Sequence, residues 1–380
     1  MIVILIISSI IGACYIGLIS LFTYGWFKNK STTGSLETPH TKVSVIVPFR
    51  NEKENMLPLL QSLSEQNFPS ELLEVLLVDD NSNDHSGEIA KEYISKNELK
   101  NFLLLTLSDA DGFSKKAALK KGIENSCGTL IITTDADCTF KKNWLRAIVN
   151  YYEQKKCRLI SAPVVTDNRK GFFAKLQSFE FLSLVASGAG AMSANKPIMA
   201  NGANLCFERS LYNELNGYNT HDCYASGDDV FFLFEAKEHC KDNKELCFLK
   251  DHESIVITQG PRNLKEFLHQ RIRWASKSTA YKDTLAVFTA LIIFLFNLSI
   301  PVLLLCGIFN FWFALIAAML FTVKLFLDFP LLFSAARFVG RSELIWYYFP
   351  MQMIYPFYIM IAAVLSFLMK FEWKGRKRRK

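Results

Sequence analysis

Hydrophobic and polar residues follow two different patterns along this chain. Long apolar runs lie near both ends, at residues 2–21, 285–309, 311–333 and 344–369. Because a helix rises about 1.5 Å per residue, about twenty apolar residues cross the ~30 Å hydrocarbon core of a bilayer. The runs predict an N-terminal membrane anchor at residues 1–24 and C-terminal transmembrane segments within residues 285–370.

The first apolar run could instead belong to a secretory signal peptide. No basic segment precedes it and no clear small-residue cleavage site follows it, whereas Lys28 and Lys30 lie directly behind it. Basic residues collect on the cytoplasmic side of membrane spans. We therefore expect an uncleaved anchor whose following residues lie in the cytoplasm.

The middle of the chain alternates short β-branched runs with amphipathic stretches, after a polar linker at residues 25–42. Strands are predicted at residues 43–47, 74–78, 102–107, 129–133 and 158–162, and helices at 55–66, 86–95, 114–125 and 141–153. This alternation predicts an α/β domain at residues 43–262, with a Rossmann-like, mostly parallel sheet covered by helices. Ligands of such sheets bind beyond the carboxyl ends of the strands.

An amphipathic helix is predicted at residues 263–284. Gln270, Arg273 and Trp274 are spaced i, i+3 and i+4 and share one side of it, where Arg can bind phosphate and Trp can stack on a sugar ring. The helix could lie on the membrane, although a Trp at this spacing is often a core residue. Arg271 falls within the apolar stripe and needs an anion or headgroups. Residues 172–192 predict another helix, near the site or the membrane.

Charged residues complicate the C-terminal segments. Lys324 and Asp328 are i, i+4 neighbours that could neutralise each other in the bilayer or face a protein interior. Three full crossings after a cytoplasmic domain would place the basic tail, residues 371–380, outside the cell, against the positive-inside rule. We therefore expect one segment to be re-entrant or interfacial.

Composition narrows the class of protein. The net charge is +7, but six of the last seven residues are basic, so the remainder is nearly balanced. This argues against a basic nucleic-acid-binding face; the tail either rests on anionic lipid or is solvated. The nine cysteines are an odd number without a C-x-x-C pair, and indicate reduced structural residues. The histidines and glycines form neither a zinc motif nor a P-loop.

Acidic and amide side chains follow three of the first four predicted strands, at residues 48–52, 79–84 and 135–137. Clustered carboxylates repel one another unless a cation or hydrogen-bond donors stabilise them, and oxygen ligands suit Mg²⁺ or Mn²⁺ beside a diphosphate. Asp and Asn also close turns and cap helices. We expect Asp84 to be a cap, and Asp79, Asp80 and Asp137 to be functional.

Residues 42–282 resemble the inverting family 2 glycosyltransferases of the GT-A fold. The resemblance rests on motifs in family order: V-S-V-I-V-P-F-R-N-E at 43–52, V-D-D-N-S-N-D at 78–84, D-A-D at 135–137, N-G-A-N-L-C-F at 201–207, G-D-D at 227–229 and Q-R-I-R-W at 270–274. It implies a GT-A catalytic domain flanked by N- and C-terminal transmembrane helices.

The resemblance also implies roles for matching residues. Asp229 would be the general base, with Asp228 an alternative because it stands where many relatives have Glu. Those implied to bind the nucleotide sugar are Pro48, Asn51, Glu52, Asp79, Asp80, Lys115 and Asp135. Asp137, with Asp135, would bind Mg²⁺ or Mn²⁺, and Gln270, Arg273, Trp274 and Asn204 would contact the acceptor or diphosphate. Lys115 could also belong to a solvated helix face.

These expectations converge on a multi-pass enzyme of the cell (inner) membrane with its catalytic domain in the cytoplasm. Its donor would be a nucleotide sugar, UDP-linked by the resemblance, and its acceptor a lipid or glycan. A processive polysaccharide synthase of the cellulose, chitin or hyaluronan type is the alternative, which the short membrane region disfavours. A catalytically inactive membrane scaffold is a second alternative. A nucleotidyltransferase would need a glycine-rich, basic loop after the first strand.

Overall fold

The computed structural model describes residues 2–30, 38–167, 169–217, 228–277, 280–368, 372–373 and 376–377. The chain forms two compact units. We call one the helical unit (Met1–Lys28, Asn168–Ile198 and Gly260–Phe371) and the other the sheet unit (Asn29–Asp167, Met199–Gln259 and Glu372–Lys380).

The helical unit contains helices that meet the length and composition of membrane spans. Its helices are α1 (Ile2–Lys28), α6 (Phe172–Ser193), α9 (Leu264–Ala275), α10 (Thr284–Cys306), α11 (Phe311–Phe338) and α12 (Tyr348–Leu368). Among the residues that the structure describes, four stretches are long and apolar enough to cross a bilayer: 3–28, 284–306, 311–338 and 342–366. Helix α1 therefore continues beyond the predicted end of the anchor, residue 24. The expected re-entrant segment stays a prediction.

Helix α6 belongs to the helical unit, although the sequence boundaries placed it in the α/β domain at residues 43–262. The reason is close packing against α1 through glycines. A Cβ added at Gly190 would lie 2.1 Å from the carbonyl oxygen of Phe22, and one added at Gly25 would lie 1.9 Å from the carbonyl oxygen of Gly190. The two backbones can approach this closely only because neither position carries a side chain.

Gly25→Ala should therefore destabilise the helical unit. The new methyl group would meet backbone that no side-chain rotation can move, and overpacking of this kind costs about 1–3 kcal/mol. Thermal unfolding of the purified full chain should begin at least a few degrees lower. Gly17→Ala is the matched control on the same helix, because a Cβ there would meet nothing within 4 Å. Equal unfolding temperatures for the two variants would contradict the close packing.

Lys324 and Asp328 of α11 form a buried ion pair. Lys324 Nζ lies 2.6 Å from Asp328 Oδ2, and the two side chains are buried. Tyr15 of α1 donates its hydroxyl to Asp328 Oδ1 at 2.7 Å, and Gln352 of α12 donates to Oδ2 at 3.0 Å. The pair is neutralised within one helix and also faces the interior of the helical unit.

The sheet unit confirms the predicted α/β architecture. Its strands are β1 (Val43–Phe49), β2 (Leu73–Asp79), β3 (Phe102–Thr106), β4 (Leu130–Thr133), β5 (Leu159–Ser161), β6 (Val164–Thr166), β7 (Leu205–Glu208), β8 (Leu246–Phe248) and β9 (Val256–Thr258). Its helices are α2 (Lys53–Ser64), α3 (Ser86–Lys96), α4 (Lys115–Glu124), α5 (Trp144–Lys155), α7 (Arg209–Glu214) and α8 (Asp228–His239).

The main sheet has the strand order β3-β2-β1-β4-β7-β5-β8. Strands β3, β2, β1 and β4 are parallel, whereas β7 pairs antiparallel with both β4 and β5. Every residue of β1 is buried, as a central strand covered on both faces requires. Phe49 pairs with Asp79, so the carboxyl ends of β1 and β2 lie side by side. The acidic turns predicted to converge therefore begin at one edge of the sheet.

The prediction that all cysteines are reduced is wrong for one pair. Cys157, just before β5, forms a disulfide with Cys247 in β8 across a sequence separation of 90 residues. Parallel pairing of β5 with β8 brings the two residues together, which sequence spacing does not reveal. The free cysteines among the described residues are Cys14, Cys127, Cys138, Cys206, Cys240 and Cys306.

Part of the predicted basic tail is described. Strand β10 (Glu372–Trp373) pairs antiparallel with β11 (Arg376–Lys377). Lys374 and residues 378–380 lie outside the described residues.

Candidate functional site

Hydrogen bonds join the turn after β1 to the turn after β2. The backbone N–H of Asn51 donates to Ser82 Oγ at 3.0 Å, and the N–H of Asn83 donates to Asn51 Oδ1 at 2.9 Å. Asp79 Oδ1 accepts from the N–H of Ser82 at 2.8 Å and from its hydroxyl at 2.6 Å. Asn51 has a φ of +52°, a conformation that Asn tolerates better than most residues. Asn51 and Asp79 thus shape this edge.

Pro48, Glu52 and Asp80 lie at the same edge. Pro48 faces β4 beyond the last residue of β1 that pairs with that strand, so its missing N–H breaks no ladder bond. The Asp80 side chain is 1% exposed, and its N–H donates to the carbonyl of Phe49 at 2.9 Å. Glu52 Oε2 accepts from Asn55 Nδ2 at 2.6 Å.

Asp84 has the capping role expected of it. Its Oδ1 accepts from the N–H of Ser86 at 3.0 Å, at the start of α3, and its Oδ2 accepts from the N–H of Lys53 at 2.9 Å, at the start of α2. Partial burial by itself would raise the pKa of the Asp84 carboxyl, but these bonds and the Ser86 hydroxyl together lower it. Asp84 therefore fixes the first residues of α2 and α3 at the edge of the sheet where β1 and β2 end.

The two carboxylates of the D-A-D segment have different neighbours. Asp135 forms an ion pair with Lys115, the first residue of α4. Asp137 Oδ2 accepts from the Thr258 hydroxyl at 3.0 Å, and backbone bonds between Thr139 and Ile257 hold the segment against β9. Lys115 is thus directed at Asp135 rather than pointing only to solvent. Asp137 is half-buried and positioned by a neutral donor.

These oxygens fit a hard divalent cation only in part. Within the ranges that the structure describes, no group of three or more His, Cys, Asp and Glu side chains could hold a metal ion. Burial, together with the charges of Asp137 and Asp135, raises the pKa of the adjacent Cys138 thiol, so this thiol stays protonated. The protein would therefore supply only carboxylate oxygens to the cation, and oxygens of the diphosphate or of water would have to complete the six-coordinate shell of Mg²⁺.

Asp229 is connected to the carboxyl end of β4 through a loop. Its Oδ2 accepts from the N–H of Gly202 at 2.9 Å, and its Oδ1 accepts from the N–H of Val230 at 2.9 Å. The carbonyl of Gly202 in turn accepts from the hydroxyl of Thr133, the last residue of β4, at 2.9 Å. Asp229 is therefore tied to the strand that leads directly into the D-A-D segment. Asp228 begins α8, and Gly227 lies outside the described residues.

Asn204 does not have the surroundings of a ligand-binding residue. Its side chain is 1% exposed, and its Nδ2 donates to the carbonyls of Pro163 and Ser254 at 2.9 and 2.8 Å. Its Oδ1 accepts from Trp144 Nε1 at 3.1 Å. These bonds make Asn204 a support for the loop at residues 201–204, and its contact with an acceptor or diphosphate stays a prediction.

In the helical unit, α9 carries Gln270, Arg273 and Trp274, all half-buried. Arg271 is the residue that falls within the apolar stripe and was expected to need an anion or headgroups. It is buried and forms an ion pair with Glu180 of α6. Burial by itself would lower the pKa of Arg271, but the charge of Glu180 raises it. The apolar stripe of α9 thus accommodates an arginine because a buried carboxylate meets it.

Two residues that contact these groups were missed by sequence reasoning. They are Thr258, which bonds Asp137, and Glu180, which pairs with Arg271. The β-branched run at residues 255–258 would have signalled the strand that carries Thr258. Glu180 lies inside an otherwise apolar helix, and a buried carboxylate there calls for a partner.

Comparison with known proteins matches this chain to two sequence models. One is described as Glycosyl transferase family 2 and covers residues 44–215; the other is described as Glycosyl transferase family group 2 and covers residues 130–361, more than half of the chain. The first ends before α8, whereas the second includes α8, α9 and the long apolar helices α10 and α11.

The alignments with similar curated proteins cover only part of each of those proteins. Probable glycosyltransferase YdaM of Bacillus subtilis is 26% identical over 238 residues, which are 62% of this chain and 54% of that protein. Glycosyltransferase AglE of Haloferax volcanii is 28% identical over 196 residues, which are 52% of this chain and 61% of that protein. The chain therefore spans little more than half of the length of these relatives.

A solved structure has a similar fold over nearly the whole chain. Mannosyltransferase PcManGT from Pyrobaculum calidifontis, in complex with GDP-Man and Mn²⁺, aligns with a TM-score of 0.59. It is 19% identical in sequence, and the alignment covers 98% of this chain and 100% of that one. At this identity the likeness establishes the fold.

Proposed function

We propose that this chain, which belongs to glycosyltransferase family 2, transfers a sugar from a nucleotide-sugar donor to a lipid or glycan acceptor with inversion at the anomeric carbon. The observation that carries the proposal is the link from Asp229 through Gly202 to the carboxyl end of β4, next to Asp135 and Asp137. It ties a potential proton acceptor to the segment that would bind a diphosphate.

The donor is proposed to bind at the carboxyl ends of β1, β2 and β4. Asn51, Glu52, Asp79 and Asp80 shape the nucleoside side of this edge, with Pro48 ending the ladder between β1 and β4. Lys115 is held at Asp135, where its ammonium group can also meet a phosphate oxygen. We infer that Asp135 orients Lys115 and the donor, because its charge is already balanced.

The Asp137 carboxylate is the proposed protein ligand of Mg²⁺ or Mn²⁺. Its bond from Thr258 fixes the orientation of one oxygen by a neutral hydroxyl, as is common for carboxylates that bind metals. When bound, the cation would offset negative charge on the leaving diphosphate. The similar mannosyltransferase structure, which contains Mn²⁺, is consistent with this cofactor.

Asp229 is the proposed general base. An acceptor hydroxyl forms a bond to the anomeric carbon while the bond from that carbon to the diphosphate oxygen breaks, and the hydroxyl proton passes to the Asp229 carboxylate. Attack opposite the leaving group inverts the anomeric centre. The N–H groups of Gly202 and Val230 hold the carboxylate in place. Asp228 remains the alternative base.

Gln270, Arg273 and Trp274 are proposed to contact the acceptor or the diphosphate. They share one side of α9, a helix of the unit that contains the candidate membrane spans. An acceptor anchored in the membrane would meet this helix near the bilayer surface. The apolar stretches support a multi-pass protein of the cell membrane, and Lys28 and Lys30, directly behind the first stretch, support a cytoplasmic catalytic domain.

The test uses membranes that contain the full chain, incubated with labelled UDP-sugars and GDP-mannose, with and without Mg²⁺ or Mn²⁺. Lipid and polymer fractions are extracted separately. We expect metal-dependent transfer of one sugar to a lipid or glycan. A ladder of product lengths would favour the processive synthase instead. Neither metal-dependent nucleotide binding nor consumption of any donor would favour the inactive scaffold.

A further inference from the structure

The ion pair between Glu180 and Arg271 is nearly sealed from solvent, the two residues being 2% and 5% exposed. Arg271 Nε donates to both carboxylate oxygens of Glu180, at 3.1 and 3.0 Å, and its Nη2 donates to Oε2. Tyr358 of α12 donates its hydroxyl to Oε1 at 3.3 Å. Glu180 therefore holds the guanidinium by more than one bond, and the plane of the group is set as well as its position.

The same guanidinium also contacts Gln270 and Trp274 of the Q-R-I-R-W motif, and Phe267 one turn before the motif. Its carbon lies 4.3 Å from the centroid of the Trp274 ring and 4.7 Å from that of Phe267. Its Nη1 donates to Gln270 Oε1 at 2.5 Å. Arg271 thus stands between Glu180 and two of the three side chains proposed to contact the acceptor or diphosphate.

These contacts determine what Gln270 can offer to a ligand. An amide side chain has an accepting oxygen and a donating nitrogen, which rotation by half a turn exchanges. Since Arg271 occupies the oxygen, the Nε2 group is the end turned away from it. Gln270 then presents a donor, which suits a phosphate or sugar oxygen. Trp274, with one face against the guanidinium, is held in a single orientation.

We propose that Glu180 is a positioning residue for sugar transfer, which orients Gln270 and Trp274 by holding Arg271. This inference rests on the proposed function of the Q-R-I-R-W motif. Glu180 lies on α6, 91 residues before Arg271, and is separate from the carboxylates of the sheet unit. It touches neither donor nor acceptor in this proposal.

Three variants of the full chain in lipid nanodiscs separate positioning from simple charge compensation. Glu180→Asp keeps the charge but shortens the side chain by one methylene, so Arg271 is neutralised but displaced. Glu180→Gln leaves the buried guanidinium without its anion and is expected to unfold at a lower temperature. The double variant Glu180→Gln/Arg271→Gln removes both charges. Ser187→Ala, two turns along α6, is the matched control.

We expect Glu180→Asp to lower kcat at least tenfold, with the KM for the donor and the unfolding temperature near those of the wild type. The double variant should recover the unfolding temperature that Glu180→Gln loses, but not kcat. Wild-type kcat in Glu180→Asp, or kcat that recovers together with stability in the double variant, would overturn the proposal.

A second measurement does not depend on transfer. The fluorescence of Trp274 is obtained as the difference between each protein and its Trp274→Phe counterpart. We expect Glu180→Asp to shift this emission and Ser187→Ala to leave it unchanged. An unshifted spectrum would overturn the positioning role even if the wild type transferred no sugar, whereas absent wild-type transfer with a shifted spectrum would count against the proposed function alone.

Discussion

Replacing Asp229 by asparagine should lower kcat by roughly 10²- to 10⁴-fold, the range that a positioned general base contributes, while leaving nucleotide binding intact. The amide oxygen of asparagine can still accept from the N–H of Gly202, a bond of 2.9 Å in the wild type, so the loop should keep its place. The amide cannot take up the acceptor proton. Single-turnover transfer and calorimetric titration with the nucleoside diphosphate measure the two effects separately.

Two further variants make the Asp229 result specific. Glu238→Gln removes an exposed carboxylate from the same helix, α8, and should leave transfer unchanged. Asp228→Asn tests the neighbouring carboxylate as the alternative base. If Asp229→Asn transferred sugar at the wild-type rate while Asp228→Asn did not, the base would be Asp228.

Asp137→Asn should have the second largest effect, a fall in transfer of roughly 100-fold or more, because a divalent cation at a leaving diphosphate is worth several kcal/mol. The cause would be loss of a charged metal ligand. Titration with the nucleoside diphosphate should show that Mg²⁺ or Mn²⁺ strengthens binding to the wild type but much less to the variant.

The controls for this prediction are two other aspartates. Asp109→Asn, an exposed carboxylate before α4, should bind nucleotide with unchanged metal dependence. Asp135→Asn should weaken nucleotide binding with and without metal, since the change removes the ion pair with Lys115. Metal dependence that vanished in Asp135→Asn and persisted in Asp137→Asn would exchange the roles proposed for the two residues.

Local patterns in the sequence predicted most of the elements that build the donor edge. The strands at residues 43–47, 74–78 and 129–133 and their following helices lie within a few residues of their predicted bounds, because period-two and period-3.6 hydrophobicity reflects burial of one face. The antiparallel strand β7 was not predicted. Its four residues carry too short a pattern, and its place between β4 and β5 depends on pairing with strands distant in sequence.

The candidate site was predictable where a motif carries its own chemistry. Asp84 was expected to cap and does so, and the D-A-D segment follows β4 as expected. Asn204 was assigned to ligand binding because it lies in a motif, but only the fold reveals that Trp144, Pro163 and Ser254 surround it. The identity of a residue within a motif does not show whether its side chain contacts the ligand or supports the loop.

The sequence by itself determined the family, the order of sheet and helices, and the apolar stretches long enough to span a bilayer, because each depends on residues close together in the chain. Tertiary structure alone decided the Cys157–Cys247 disulfide, the glycine contact between α1 and α6, and the partner of Arg271. Each of these joins segments far apart in sequence. A charged residue in an apolar stripe, such as Arg271, indicates that a partner of opposite charge is needed. Only the packing of α6 against α9 identifies that partner as Glu180.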